Sequence, residues 1–374
     1  MGGAHSRDGH VGAEVDLRRI AENLRVIEAA AGRPVDVVAS IKANAYGHGA
    51  VPVANALAAH GVRGLATGSI EQAVAVRASG VTMPILIFPG WLEDAAGPLV
   101  EHGLTPIVDR LGNAEALSLA SVSEVRVWVK VDAGLGRHGV PLEVALAFVR
   151  ELNELPSIQV EGVMTHLPFV DEAGLTWAQQ RLELFGGLVE ELRRELGPIE
   201  SQALSSAGVL AGLEDRSSAI CPGHAMYGMA PAAPGLVDMS RLRPALLTIR
   251  ARLAQVSGHD EPRRAGVGGG LTLGAGAVTG VASIGRNHGY RLTSQAGAAM
   301  LVRGRRAPVL GLSLEHALLD LRGVDGAAVG DEVIVLGRSG DETITLEDLA
   351  SWQGLGQTDA LLSFDGHVPF DYRS

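Results

Sequence analysis

Between Val35 and Cys221 the sequence alternates short apolar runs with amphipathic stretches, and that rhythm leaves few folds open. The runs Val35 to Ile41, Gly64 to Gly68, Pro84 to Phe88, Thr105 to Val108, Val125 to Val131, Ile158 to Met164, Ala203 to Ser205 and Ser218 to Cys221 read as buried strands. Between them Ile70 to Ala78, Leu92 to Glu101, Asn113 to Ser121, Leu142 to Leu152 and Ala178 to Leu196 read as helices. In the last, Leu182, Phe185, Val189 and Leu192 share a face, and Gly197-Pro198 stops it. A helix over Leu17 to Ala31 precedes the series, and another pattern starts at Ala50. Strands alternating with helices make a parallel sheet, and this number of strands in ~200 residues favours a closed (β/α)8 barrel of the TIM type.

The rhythm breaks around Pro234 to Arg243. Beyond it, Leu246 to Val256, Val278 to Ile284, Ala298 to Val302, Pro308 to Leu312 and Glu332 to Leu336 are short β-type runs separated by turn residues. They predict a mostly antiparallel β domain with one short helix over Thr343 to Gln353. The glycine-rich run Gly266 to Gly276 reads as a loop, since no helix start follows it to cradle a phosphate. The expected division is a disordered N-terminus over 1–11, a barrel over 12–238 and a β domain over 239–374.

With 47% hydrophobic but 4% aromatic residues, the core must come from Ala, Val, Leu and Ile. A net charge of −11 with scattered basic residues argues against nucleic acid or an anionic membrane as partner. The single cysteine, Cys221, precludes an internal disulfide and suits a reducing compartment. No apolar run approaches the ~20 residues of a membrane span, and Met1 to His10 lacks the apolar stretch of a secretion signal. The expectation is a soluble cytoplasmic protein.

Lys42 stands at the C-terminal end of the first of these strands, followed by small residues, Tyr46, and the glycines Gly47 and Gly49. A lysine there is either a solvated surface charge or an amine desolvated by its apolar strand. The second case lowers its pKa and frees it as a nucleophile, the property of a Schiff-base lysine. Lys130-Val131-Asp132-Ala133-Gly134-Leu135-Gly136-Arg137-His138-Gly139 follows the fifth strand, Thr165-His166 ends the sixth, and Ser205-Ser206-Ala207-Gly208 precedes a helical pattern. Each falls where a barrel gathers its chemistry. Arg137 offers a fork to a carboxylate or phenolate oxygen; the other reading is a glycine turn with a surface arginine.

Lys42-Ala-Asn-Ala-Tyr-Gly-His-Gly49 resembles the pyridoxal 5'-phosphate (PLP) motif of the alanine racemase family, the fold-type III PLP enzymes. The segment from Lys130 to Gly139 and the run Cys221-Pro222-Gly223-His224-Ala225-Met226-Tyr227-Gly228 resemble two more of its motifs. The resemblance covers Ala13 to Pro369 and implies PLP bonded to Lys42 and contacted by Tyr46. It implies that Arg137 meets the PLP phenolic oxygen and the substrate carboxylate, oriented by Lys130, which is often carbamylated in the family. His166 would stack on the pyridine ring, Ser205, Gly223 and His224 would hold the phosphate, and Cys221 would face the pyridine nitrogen. No metal is implied. A head-to-tail homodimer is, with each site completed by the partner's β domain.

The departures concentrate on the second face of the site. Cys221 stands where the family has an arginine that keeps the ring nitrogen unprotonated. In Ile284-Gly285-Arg286-Asn287-His288-Gly289-Tyr290 the family's second catalytic base, a tyrosine, is replaced by Arg286, a poor base. Leu314-Glu315 replaces a Met-Asp pair whose first backbone N–H binds substrate carboxylate, so Leu314 inherits that contact. Phe364 stands where a phosphate-binding tyrosine is expected, and Tyr372 lies too far along to replace it. The expected function is a PLP-dependent enzyme acting at Cα of an amino-acid substrate. Lys42 is its first base, Arg286 and His288 (with Tyr290 nearby) stand at the second face, and Arg137, Arg286 and Leu314 meet the substrate. It would be a racemase or epimerase with an altered second base, on a substrate other than plain alanine. The alternatives are a one-base PLP reaction (aldol or retro-aldol, decarboxylation or transamination) and a PLP-binding homologue without turnover.

Overall fold

The computed structural model describes residues 10–265, 270–293 and 297–374, and these divide into two units. The first strand, β1 (Gly12–Asp16), belongs with Ala245–Ser374, and the other unit is Leu17–Pro244. The expectation that the barrel begins at residue 12 is therefore corrected. Every residue of β1 is buried, and its backbone is satisfied by strands from the C-terminal part of the chain. The expected boundary at 238/239 falls within the segment that ends the barrel unit at Pro244. Of the expected disordered N-terminus, residues 1–9 lie outside the described residues, and Val11 is buried.

The barrel unit contains β2 (Asp36–Ser40), β3 (Gly64–Thr67), β4 (Ile85–Ile87), β5 (Thr105–Val108), β6 (Val125–Asp132), β7 (Val140–Pro141), β8 (Ile158–Met164), β9 (Glu200–Gln202) and β10 (Ala219–Ile220). They run parallel in the order β5-β4-β3-β2-β10-β9-β8-β6, and β5 closes on β6 through Ile107 beside Trp128 and Val108 beside Val129. The two-residue β7 pairs with β6 outside this ring. Val38, Ala66, Leu86, Ile107, Trp128, Met164 and Ala219 pack as one buried layer, with Cys221 beyond β10 and Phe88 against them. Burying an aliphatic side chain in such a layer contributes about 1.5–3 kcal/mol.

Two barrel elements differ from their expected bounds. β9 lies at Glu200–Gln202, ahead of the run Ala203 to Ser205. Its residues are polar, so no apolar signal marks them. Ser201 and Gln202 are nevertheless buried, and Ser218 Oγ accepts from Ser201 N–H at 2.9 Å and donates to its carbonyl at 3.1 Å. The long helix begins at Glu172 rather than Ala178 because the Asp171 carboxylate caps it, accepting from Gly174 N–H at 2.8 Å.

The second unit is built on β1, β11 (Leu246–His259), β12 (Arg263–Ala265), β13 (Leu271–Leu273), β14 (Ala277–Ala282), β15 (Ala299–Val302), β16 (Arg305–Leu312), β17 (Ala317–Asp320), β18 (Glu332–Ser339), β19 (Glu342–Ile344) and β20 (Phe370–Arg373). The main sheet has the order β19-β18-β15-β16-β17-β14-β11-β1-β20, with β18 also on β11. All its pairings are antiparallel except β1 with β20. Within the glycine-rich run read as a loop, residues 266–269 lie outside the described residues, and Leu271–Leu273 pairs with β12 as a hairpin. The expected helix forms over Leu346–Gln353, capped reciprocally by Thr345 and Asp348, and a second one over Gln357–Leu362 follows it. Among the described residues no helix is long and apolar enough to cross a membrane.

Candidate active site

After β2 the chain makes a turn that its residue types do not favour. Ala43, Asn44, Ala45 and Tyr46 all have left-handed backbone angles, with φ of 49°, 52°, 55° and 54°. Such a conformation costs a non-glycine residue roughly 1–2 kcal/mol, so the surroundings must hold it. Ala45 N–H donates to the Ile41 carbonyl at 2.8 Å, and Gly49 N–H to the Asn44 carbonyl at 2.9 Å. Asn44 Oδ1 accepts from Ala50 N–H at 2.7 Å. Gln72, on the helix Ile70–Ala78, clamps the turn from outside: its Oε1 accepts from Asn44 N–H at 2.9 Å and its Nε2 donates to the Ile41 carbonyl at 2.7 Å. His48 lies fully buried beneath, kept neutral by burial with its pKa near 4, and stacks on Tyr227 at 4.8 Å. Tyr227 in turn donates to the Ser40 carbonyl at 2.9 Å.

The turn places Lys42 at a cavity of about 350 Å³. Lys42, Tyr46, Arg137, His166, Ser205, Cys221, Gly223 and His224 all line it, as does Lys130, so the structure gathers every barrel residue singled out in the sequence. Lys42 Nζ lies 5.4 Å from the centre of the Tyr46 ring, and that ring meets His224 edge-on at 5.0 Å. Gly223 leaves the Tyr46 hydroxyl its room, since a Cβ there would sit 2.3 Å from that oxygen. The Arg137 loop is shaped by Asp132, whose carboxylate accepts from the N–H groups of Gly134, Leu135 and Gly136 at 2.8, 2.7 and 3.0 Å. It closes at Gly139, where φ is 100° and a Cβ would lie 2.6 Å from Asp132 N.

The cavity also includes residues that sequence reasoning passed over. Ser206 Oγ, buried, accepts from Gly223 N–H at 3.3 Å and ties two of the expected phosphate-binding segments together. Gln202 donates to the Leu204 carbonyl at 3.0 Å, while its Oε1 is buried without a partner among the described residues, as is Ser40 Oγ. Phe88, Met164 and Phe169 supply apolar walls. A polar residue at a barrel strand's C-terminal end was the available signal for Gln202, obscured by the misplaced seventh strand.

Among the described lining residues there are three cations, Lys42, Lys130 and Arg137, and no carboxylate. Burial lowers the Lys42 pKa, opposed by Cys221 and aided, to a smaller extent, by Arg137. Burial brings Lys130 down to about 8. His166 is held near 3 by burial and by the surrounding Lys130, Lys42 and Arg137, so its ring is neutral. Burial pushes the Cys221 thiol up to about 11, and it faces the cavity uncharged. This field suits a ligand with several negative charges. Among the described residues no His, Cys, Asp and Glu side chains group to hold a metal.

Arg286, His288 and Leu314 lie in the β domain, on two interlocked loops. Arg286 N–H donates to the Ser313 carbonyl at 3.0 Å and Asn287 N–H to that of Leu314 at 2.8 Å. Leu314 is 68% exposed. His288 Nδ1 accepts from Gly285 N–H at 3.1 Å, which assigns the ring proton to Nε2, 3.9 Å from Glu315. Tyr290 and Phe364 are fully buried, and Tyr372 is part of β20.

The clamp on the turn generates a prediction. In Gln72→Glu a carboxylate oxygen replaces the donor that faces the Ile41 carbonyl at 2.7 Å. Thermal unfolding should show destabilisation of ~1–3 kcal/mol, the cost of an unmade buried hydrogen bond, and Gln72→Ala a comparable loss. Parent-like melting of both variants would show that the turn does not depend on Gln72.

Sequence and structure comparisons identify the family of the chain. Residues 15–231 match the family described as the alanine racemase N-terminal domain, and residues 246–372 its C-terminal domain. The chain is 32% identical to an alanine racemase of Sorangium cellulosum over 96% of its own length and 98% of the relative's. It is 34% identical to one of Symbiobacterium thermophilum, over 92% of each chain. The crystal structure of alanine racemase from D-cycloserine-producing Streptomyces lavendulae superposes with a TM-score of 0.88 at 27% identity, covering 99% of this chain and 98% of that one. With both of its domains matched over nearly their whole length, the chain belongs to the alanine racemase family.

Proposed function

We propose that this chain is a PLP-dependent racemase or epimerase that acts at Cα of an amino acid other than plain alanine, with an altered second base. Enzymes of its family use PLP. The observation that carries the reading is the cavity itself, where a desolvated lysine and two further cations converge with no carboxylate among the described lining residues. The residues present fit the cofactor: Lys42 would hold its aldehyde carbon, Ser205, Ser206, Gly223 and His224 its phosphate, and neutral His166 its ring face. When bound, PLP supplies an electron sink for the bond broken at Cα.

Lys42 takes or returns a proton at Cα on one face, and its lowered pKa raises the share of neutral amine available for that task. Arg137 offers its guanidinium to the substrate carboxylate. Lys130, with a pKa near 8, has a substantial neutral fraction at mildly alkaline pH and is open to the carbamylation implied by the family resemblance. Cys221 contributes a neutral thiol, so it leaves the ring nitrogen free to be protonated.

A one-base reaction is a second reading, favoured by the β-domain loops. Arg286 is a permanent cation, and the lone pair of His288 Nδ1 is taken up by Gly285 N–H, so neither group offers a free base. Arg286 instead suits a substrate with a second anionic group. We further propose a head-to-tail homodimer in which Arg286, His288 and Leu314 of one protomer complete the other protomer's cavity, which accords with the exposure of Leu314.

Borohydride reduction of the PLP-loaded protein should fix the cofactor on Lys42, as peptide mass spectrometry would show, and Lys42→Ala should lose both the adduct and the cofactor's visible absorption. A Lys42→Ala protein with the parent's absorption would refute the assignment. Interconversion of L- and D-alanine is expected to be ~10²–10⁴-fold below a fully equipped two-base enzyme, the usual cost of a missing acid–base group. The double variant Arg286→Tyr with Cys221→Arg should recover part of it, whereas fast alanine turnover by the parent chain would overturn the altered-base reading. Sedimentation should show a dimer at micromolar concentration, and a fully active monomer would contradict the shared site.

A further inference from the structure

One further imidazole borders the cavity. His138 lines it next to Arg137. Its backbone is left-handed, with φ of 52°, in a loop already bent by the Asp132 carboxylate and by Gly139. This bend brings His138 Nδ1 to 3.3 Å from Asp109 Oδ2. Asp109 follows β5, and its side chain is 12% exposed. It is held from two further directions, by Gly139 N–H at 3.4 Å and by Asn113 Nδ2 at 3.4 Å. A carboxylate on Nδ1 fixes the proton there and leaves the Nε2 lone pair free, the arrangement of a base with its orienting group.

The other side chains of the cavity are less suited to this task. His166 and His224 are largely buried among cations that disfavour taking up a further proton. The Tyr46 hydroxyl and the Cys221 thiol are pushed up by burial and hold their protons. His138 keeps 48% of its side chain exposed, so water can restore its protonation state between turnovers.

We propose that His138, oriented by Asp109, is a second proton-transfer group of this cavity and serves the face of Cα that Lys42 does not. The inference rests on the PLP reading above. In one direction the Cα–H bond breaks, its electron pair stays with the substrate, and the proton passes to His138 Nε2. The ammonium form of Lys42 delivers a proton to the opposite face, so the product is the mirror image and the two residues have exchanged protonation states. The reverse reaction runs the same steps backward.

The first test needs no cofactor. Nitrogen-15 NMR of the cofactor-free protein should find neutral His138 as the Nδ1–H tautomer, and Asp109→Asn should abolish that preference. An Nε2–H ring in the parent protein would overturn the proposal. The second test loads the protein with PLP in D2O and follows Cα deuteration of a panel of L- and D-amino acids by mass spectrometry after chiral chromatography. His138→Gln should slow deuteration of one enantiomer ~10²–10⁴-fold and leave the other within a few-fold. Added imidazole should restore part of the loss in His138→Gly, whose glycine tolerates the positive φ. Unchanged rates, or equal losses for both enantiomers, would overturn the proposal. Deuteration of neither enantiomer of any panel member by a parent protein carrying PLP on Lys42 would also overturn it. Failure of PLP to attach to Lys42 would instead remove the reading on which the proposal rests.

Discussion

The site depends on a backbone constraint, the left-handed turn from Ala43 to Tyr46. A right-handed continuation would follow the ordinary preference of these residues, and the cost of the alternative is borne by each of them. What holds the turn comes mostly from elsewhere: Gln72 from the next helix, the buried His48 and Tyr227 below, and the Ala50 amide after it. The result is a lysine presented at the end of β2 without a flexible loop beneath it. Strain of this kind persists where the surroundings over-determine it, which is the situation of functional sites.

The second constraint is charge. The barrel layer that includes Val38, Ala66, Leu86, Ile107, Trp128 and Ala219 meets the cavity through Met164, and burial withdraws Lys42 and Lys130 from water. No carboxylate stands among the described lining residues; Arg137 disfavours protonation of Lys42 and Lys130, and burial together with the three cations keeps the His166 ring neutral. A ligand carrying a phosphate and a carboxylate relieves that repulsion, so the same field that activates the lysine also selects the ligand.

The barrel was legible because most of its strands are rich in apolar residues, and most lie within two residues of the runs read for them. β9 was misplaced because Ser201 and Gln202 are buried through hydrogen bonds instead of apolarity. β1 was assigned to the wrong unit because strand partners hundreds of residues away leave no local signal. The cavity residues in the barrel were found through motif resemblance. The left-handed turn was not, since of Ala-Asn-Ala-Tyr only Asn tolerates positive φ and the Gln72 clamp on the turn lies on another helix. Asp109 was invisible for the same reason, being brought to His138 by the adjacency of β5 and β6.

The chemistry of the cavity depends on the fold delivering Lys42 as a desolvated amine. Nitrogen-15 NMR titration of the Lys42 side chain in the cofactor-free protein, assigned by its loss in Lys42→Arg, measures this directly. The amine should titrate below the ordinary lysine value of 10.5, because the burial that penalises its charged form outweighs the opposing influence of Cys221. A Lys42 that titrates at or above that value would contradict the account.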